Sequence, residues 1–140
     1  MIVMSTIVAI LILCRLLLKH LEAQSKHPRG RIGVWMMRLW NRAYLPMTAW
    51  ALSQLPHRSF ENILDTGVGN GASTALLHSR FPRSRIIGID ISEKAIAEAG
   101  RNRTTNVFFD VKDVEDTGYP GESFDLVCAF QTHFHWPYLE

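Results

Sequence analysis

The stretch Ile63-Leu64-Asp65-Thr66-Gly67-Val68-Gly69-Asn70-Gly71-Ala72-Ser73-Thr74 decides the fold. A short apolar run enters it, glycines occupy every second position from Gly67 to Gly71, and a helix-compatible segment leaves it. Glycine reaches left-handed backbone conformations and lets a ligand approach the main chain with no Cβ in the way, so a strand that turns into a helix through this loop opens a βαβ unit. The helix starting near Ala72 would aim unpaired N–H groups and the positive end of its dipole at the loop.

Downstream the pattern repeats. Asn62 to Asp65 reads as a strand, Ala72 to Arg80 as a helix ended before Pro82, and Arg85 to Asp90 as a second strand. Ser92 suits an N-cap, Glu93 to Ala99 is helical, and Gly100 stands at the C-cap. Asn106 to Phe109 is a third strand, and Phe124 to Phe130 a fourth, nearly continuous in apolar residues as in a central parallel strand. Strands alternating with helices predict an α/β fold with a partial doubly wound parallel sheet of about four strands.

Ligands of such sheets sit beyond the carboxyl ends of the strands, where Asp90 could accept both hydroxyls of a ribose. The competing reading makes Asp90 a cap of the next helix. Two ligand types compete as well. Gly67-x-Gly69-x-x-Ala72 satisfies the dinucleotide fingerprint, which would place a pyrophosphate at the helix N-terminus. Asp65 argues otherwise, because a carboxylate beside the loop repels phosphate and attracts an ammonium. S-adenosylmethionine carries an ammonium, a sulfonium and no phosphate.

Asp65-Thr66-Gly67-Val68-Gly69-Asn70-Gly71 resembles the D-x-G-x-G-x-G motif of the class I S-adenosylmethionine-dependent methyltransferases. The resemblance runs from about Phe60 to Glu140. It implies that Asp65, Gly67, Gly69 and Gly71 hold the methionine portion of the cofactor, and that Asp90, with Ile91 beside it, holds the ribose. The segment Lys112-Asp113-Val114-Glu115-Asp116 is similar to the family's adenine-binding region, which assigns the adenine to Asp113 and Val114, with Asp110 as the competing register. Gln131 takes the place that lies beside the methyl end of the cofactor.

In methyl transfer the cofactor carries most of the chemistry, and the protein orients the acceptor and excludes water. No catalytic base is assigned. His133 or His135 could act as one, and Phe134 or Trp136 could meet the sulfonium by cation–π attraction. The bland alternative has these side chains merely lining a loop. His133-x-His135 lacks a third ligand, so no metal site is expected. The N/D-P-P-Y/F motif of amino-methylating nucleic-acid enzymes is absent, and a net charge of +2 is too mild to indicate nucleic acid. The expected acceptor is a small molecule or a lipid.

The N-terminal part reads differently. Ile2 to Leu18 is almost wholly apolar, interrupted by Ser5, Thr6 and Arg15, and Lys19, Lys26, Arg29 and Arg31 follow it. It reads as a single membrane anchor, N-out and C-in, with the remainder cytoplasmic, or else as a short helix packed on a protein surface. Ser25 to Gly30 is a linker. Ile32, Trp35, Met36, Leu39, Trp40 and Ala43 then mark one helical face, expected to be buried against the domain rather than laid on a membrane. Pro46 should open a second short helix, which Pro56 closes. The expected organisation is thus 1–24 as an apolar helix, 25–56 as linker and amphipathic helices, and 57–140 as the cofactor domain. Cys14 and Cys128 imply no disulfide framework.

The resemblance also implies a seven-stranded sheet of order 3-2-1-4-5-7-6, of which about four strands are present. The expectation is a fragment, or a truncated form with weak cofactor binding and no turnover. A non-catalytic cofactor-binding remnant and a dinucleotide-dependent oxidoreductase are the alternative functions. Oligomeric state is not legible.

Overall fold

A computed structural model describes residues 2–26 and 30–132. Two long helices come first, α1 (Ile2–Lys26) and α2 (Gly30–Ser53). They lead into β1 (Asn62–Thr66), α3 (Ala72–Arg80), β2 (Arg85–Asp90), α4 (Glu93–Ala99), β3 (Val107–Val111) and β4 (Leu126–Ala129).

The four strands form one parallel sheet in the order β3-β2-β1-β4. Asp65 is aligned with Gly88 of β2 on one side and with Cys128 of β4 on the other. The chain thus winds outward from β1 to β3 and then returns to the far side of β1. The reversal leaves a crevice at the carboxyl ends of β1 and β4, the usual place for a ligand in an open α/β sheet.

The main core joins sheet and helices through Ile63, Ile86, Val107 and Phe109 with Leu77 of α3, Ala99 of α4 and Leu52 of α2. A smaller cluster of Leu64, Ile87 and Ile89, packed against Tyr119 and Phe124, lies apart from it. Gly88 has no side chain for a packing reason. A Cβ there would stand 2.8 Å from the Phe109 ring and 2.9 Å from Val68. The start of β1 is pinned by Asp125, whose carboxylate accepts the N–H groups of Glu61 and Asn62, each at 2.8 Å. These bonds hold the Asp125 carboxyl below the usual carboxylate range.

Helices α3 and α4 and strand β2 occupy the spans that the sequence indicates, and Ser92 caps α4 by accepting the Ala95 N–H. Gly100 is the C-cap of α4 as expected, in right-handed geometry, and the chain tightens there into a 3-10 turn. Two local expectations are corrected. Pro46 lies inside α2 and divides nothing. The carbonyl it leaves unpaired, four residues back at Arg42, is on an exposed part of the helix where water can satisfy it. Nor is the apolar face of α2 buried as a unit: Met36 is covered, whereas Ile32, Trp35, Leu39 and Trp40 are exposed.

Among the described residues, no helix is long and apolar enough to cross a membrane, so the spanning anchor expected at residues 2–18 gains no support. From Ile2 to Leu18 the axial rise is roughly 25 Å, against ~30 Å of hydrocarbon.

Candidate functional site

The crevice is built by the loop between β1 and α3. Gly67, Gly69 and Gly71 have φ of 68°, 56° and 81°, the left-handed region that their spacing implies. The loop is held from below, where the Ile89 carbonyl accepts the N–H groups of Gly67 at 2.7 Å and Val68 at 3.2 Å. A Cβ on Gly67 would run into the Thr132 side chain after β4, and one on Gly71 would lie 3.0 Å from Ala99 Cβ. Glycine is therefore required twice at these two places, by conformation and by space.

Asp65 is fully buried at the end of β1. Its Oδ2 accepts hydrogen bonds from the hydroxyls of Ser73 at 2.9 Å and Thr74 at 2.7 Å, both in the first turn of α3. Oδ1 is buried with no partner among the described residues. Burial pushes the Asp65 carboxyl up to about 6, against the lowering effect of the two hydroxyls. The same carboxylate and burial push the Cys128 thiol up to about 12, which makes it an inert core group.

The sequence places Asp65 in contact with the ligand; in the structure Asp65 is fully buried and hydrogen-bonded to Ser73. Ser73 lines a small cavity in the crevice with Gly67, Val68, Phe130 and Gln131, and Tyr44, Leu45 and Thr48 of α2 form its opposite wall. Because the Ser73 hydroxyl gives its proton to Asp65, its oxygen lone pairs remain to accept from a donor in the cavity.

The remaining assigned residues follow the strand ends. Asp90 closes β2, where its Oδ2 accepts the Gly69 N–H and its Oδ1 the Ser92 N–H, each at 2.9 Å. It thereby ties the glycine loop to the start of α4. Ile91, next along, is 57% exposed, an apolar surface at the mouth of the crevice. Asp113 is exposed beyond β3, with Oδ1 accepting the Glu115 N–H at 3.0 Å, and Val114 is half-buried. Asp110 is engaged elsewhere, accepting the Tyr119 hydroxyl at 2.9 Å. Partial burial and that carboxylate push the Tyr119 phenol up to about 12.

Gln131, on the far side of the crevice, has φ of 62° without being glycine, and its Nε2 lies 3.5 Å from Met47 Sδ of α2. A left-handed glutamine is a strained backbone of the kind found at functional sites. His133, Phe134, His135 and Trp136 lie outside the described residues. No metal-binding cluster occurs among the described residues.

Sequence reasoning missed Ser73, Tyr44, Leu45 and Thr48. Ser73 sits one place inside a helix start and looks like ordinary first-turn polarity. The α2 residues reach the crevice only through tertiary packing. The one local signal is Thr48, a polar residue in an apolar helix, here buried with its hydroxyl donating to the Tyr44 carbonyl at 3.4 Å.

A pyrophosphate does not suit this loop. The N-terminus of α3 already has the Asp65 carboxylate bonded to its first-turn hydroxyls, so the dipole end is compensated and an added anion would be repelled. A cationic group suits it, because the Ser73 oxygen can accept from it and the buried Asp65 carboxylate attracts it. The residues present therefore fit S-adenosylmethionine better than a dinucleotide.

Comparison with known proteins agrees. The family described as "Methyltransferase domain" matches residues 63–140. Trans-aconitate 2-methyltransferase of Escherichia coli O6:H1 is 42% identical over 78 residues, which is 56% of this chain and 30% of that enzyme. The chain thus spans about a third of the length of that relative. Among solved structures, the complex of the Haloferax volcanii Trm112 methyltransferase activator with a putative methyltransferase aligns over 66% of this chain and 42% of the other, with a TM-score of 0.62 and 22% identity. Human N-acetylserotonin methyltransferase, solved with S-adenosylmethionine, aligns over 72% of this chain and 29% of its own, with a TM-score of 0.60 and 19% identity. At such identities the two structures speak for the fold alone, and it is the fold of this sheet. With the family match covering more than half of the chain, the oxidoreductase alternative falls, and the chain belongs to the class I S-adenosylmethionine-dependent methyltransferase family.

Proposed function

We propose that this chain is the cofactor-holding portion of a methyltransferase that acts on a small, acidic acceptor. The observation that carries the reading is the crevice at the β1/β4 reversal, where a glycine loop faces a serine backed by a buried carboxylate. In this reading Gly67, Gly69 and Gly71 let the methionine portion lie against the backbone. Ser73 receives its ammonium, and Asp65 neutralises that charge from behind. Asp90 takes the ribose hydroxyls, and Ile91 packs on the base. Asp113 and the Val114 N–H meet the adenine edge. Gln131 stands at the methyl end, opposite Tyr44 and Thr48.

S-adenosylmethionine, when bound, supplies a methyl group activated by positive sulfur. An acceptor that is already an anion needs no base to react with it. The E. coli relative is named for trans-aconitate, a carboxylate, and a carboxylate acceptor is proposed here on the same chemical ground.

The test is titration calorimetry of the 140-residue chain with S-adenosylmethionine, S-adenosylhomocysteine and NADH in parallel. Saturable heat with the first two and none with NADH is expected. Binding of NADH alone would refute the reading.

A further inference from the structure

We propose that the outer surface of α1 and α2 docks peripherally onto an anionic lipid bilayer. Every residue from Thr6 to His20 of α1 is exposed, and its large aliphatic side chains, from Ile7 to Leu18, are 50–68% accessible. A helix that is apolar on all sides has no stable place in water, because burial of that surface is what makes such a helix favourable.

Helix α2 carries exposed apolar residues as well. Ile32, Trp35, Leu39 and Trp50 fall on one side at helical spacing and are 50–64% exposed, whereas Thr48 and Leu52 are buried on the opposite side. Patches of this size mark an interaction site.

Charge selects the occupant. Residues 1–56 contain seven lysines and arginines and a single acid, Glu22. Residues 57–140 contain twelve acids and eight lysines and arginines, so the small net charge of the whole chain hides two opposed halves. Arg38 is not free for a partner, since it donates to Glu98 at 2.9 and 3.1 Å. Arg15, Lys19, Arg31 and Arg42 are exposed around the apolar surface.

Basic residues beside apolar and tryptophan side chains match a bilayer with anionic headgroups, where the cations meet phosphate and the indoles sit at the boundary. A second copy of the chain is a poor match, because a two-fold contact would bring the same basic residues face to face. The described apolar length is too short to span, so the mode is immersion from one side. Tyr44 and Thr48 face the crevice from the other side of α2, so docking would set the crevice about 10 Å, one helix diameter, from the headgroups. The proposal does not depend on which ligand the crevice takes.

The experiment is flotation of the full chain, synthesised in the presence of vesicles of phosphatidylcholine alone or mixed with phosphatidylglycerol. The chain should rise with the mixed vesicles, rise poorly with the neutral ones, and lose most of the mixed-vesicle binding in high salt. Charge reversal (Arg15→Glu, Lys19→Glu, Arg31→Glu, Arg42→Glu) should weaken binding roughly fivefold per residue near the surface. Replacing Ile32, Trp35, Leu39 and Trp50 by serine should weaken it further while leaving the melting transition in place, since these side chains cover no core. Sedimentation of the wild-type chain away from both vesicle types would overturn the proposal. So would equal flotation of the wild-type and charge-reversed chains, or a defined dimer that buries the tryptophans without lipid.

Discussion

Ser73 links Asp65 to the crevice: its hydroxyl donates to Asp65 Oδ2 at 2.9 Å, and the same residue lines the cavity beside Gly67 and Gln131. A fully buried carboxylate is thereby connected to a cavity that Ser73 lines. Charge that would be screened by water at the surface is kept in a dry place, where it acts strongly on any cation in the crevice.

Keeping that charge costs stability. The Asp65 carboxyl is raised from 3.8 in the unfolded chain to about 6 in the folded one. Folding therefore takes up a proton between these values, and the stability contributed by this group is complete below about 4 and lost as pH rises through about 6. Asp65→Asn removes the titration, so its stability relative to the wild-type chain should improve by about 2 kcal/mol between pH 4 and pH 7. Urea denaturation of both chains at the two pH values checks this. Asp125, held low by backbone N–H groups, works in the opposite direction in both chains and cancels in the comparison.

Cofactor affinity should move the other way with pH. An ammonium in the crevice needs Asp65 ionised, so S-adenosylmethionine should bind about tenfold more weakly for each pH unit below 6. Ser73→Ala should cost about tenfold in affinity, because a hydrogen bond to a charged group is lost. Asp65→Asn should bind weakly with little pH dependence. Calorimetry across pH 5 to 8 reads all three.

Gly71 caps α3 with φ of 81°, and a side chain there would press on Ala99. Gly71→Ala should destabilise the domain by about 2 kcal/mol through the left-handed cost and this contact. Thermal melting would show a lowered transition. An unchanged midpoint would mean that the loop can relax away from α4.

Glu98 is buried on α4 and accepts from both Arg38 of α2 and Arg101, at 2.7 to 3.1 Å. The two arginines are more than half exposed, so their ion pairs add little to global stability. Glu98→Gln should lower it by about 1 kcal/mol. The sharper effect should be local, with faster amide exchange in α2 and unchanged protection in β1 and β2.

What could be read directly from the chain is what short-range chemistry decides. The spans of α3, β2 and α4 follow from Pro82, the Ser92 cap and apolar runs a few residues long. The positive φ angles of Gly67, Gly69 and Gly71 follow from their spacing, and the ends of parallel strands then had to bring Asp65, Asp90, the segment after β3 and Gln131 to one edge. Pro46 misled because a helix break depends on whether the freed carbonyl can reach water, which is a property of its surroundings.

Other features were settled only by tertiary packing. That Asp65 is buried and hydrogen-bonded to Ser73 depends on how α3 packs over β1. Which apolar residues of α2 face the core depends on where α3 and α4 leave room, and Trp35 and Trp50 were left outside. Local sequence sets backbone conformation because steric limits and caps act over a few residues. Burial is shared among elements distant in the chain, so no single segment carries enough information to decide it.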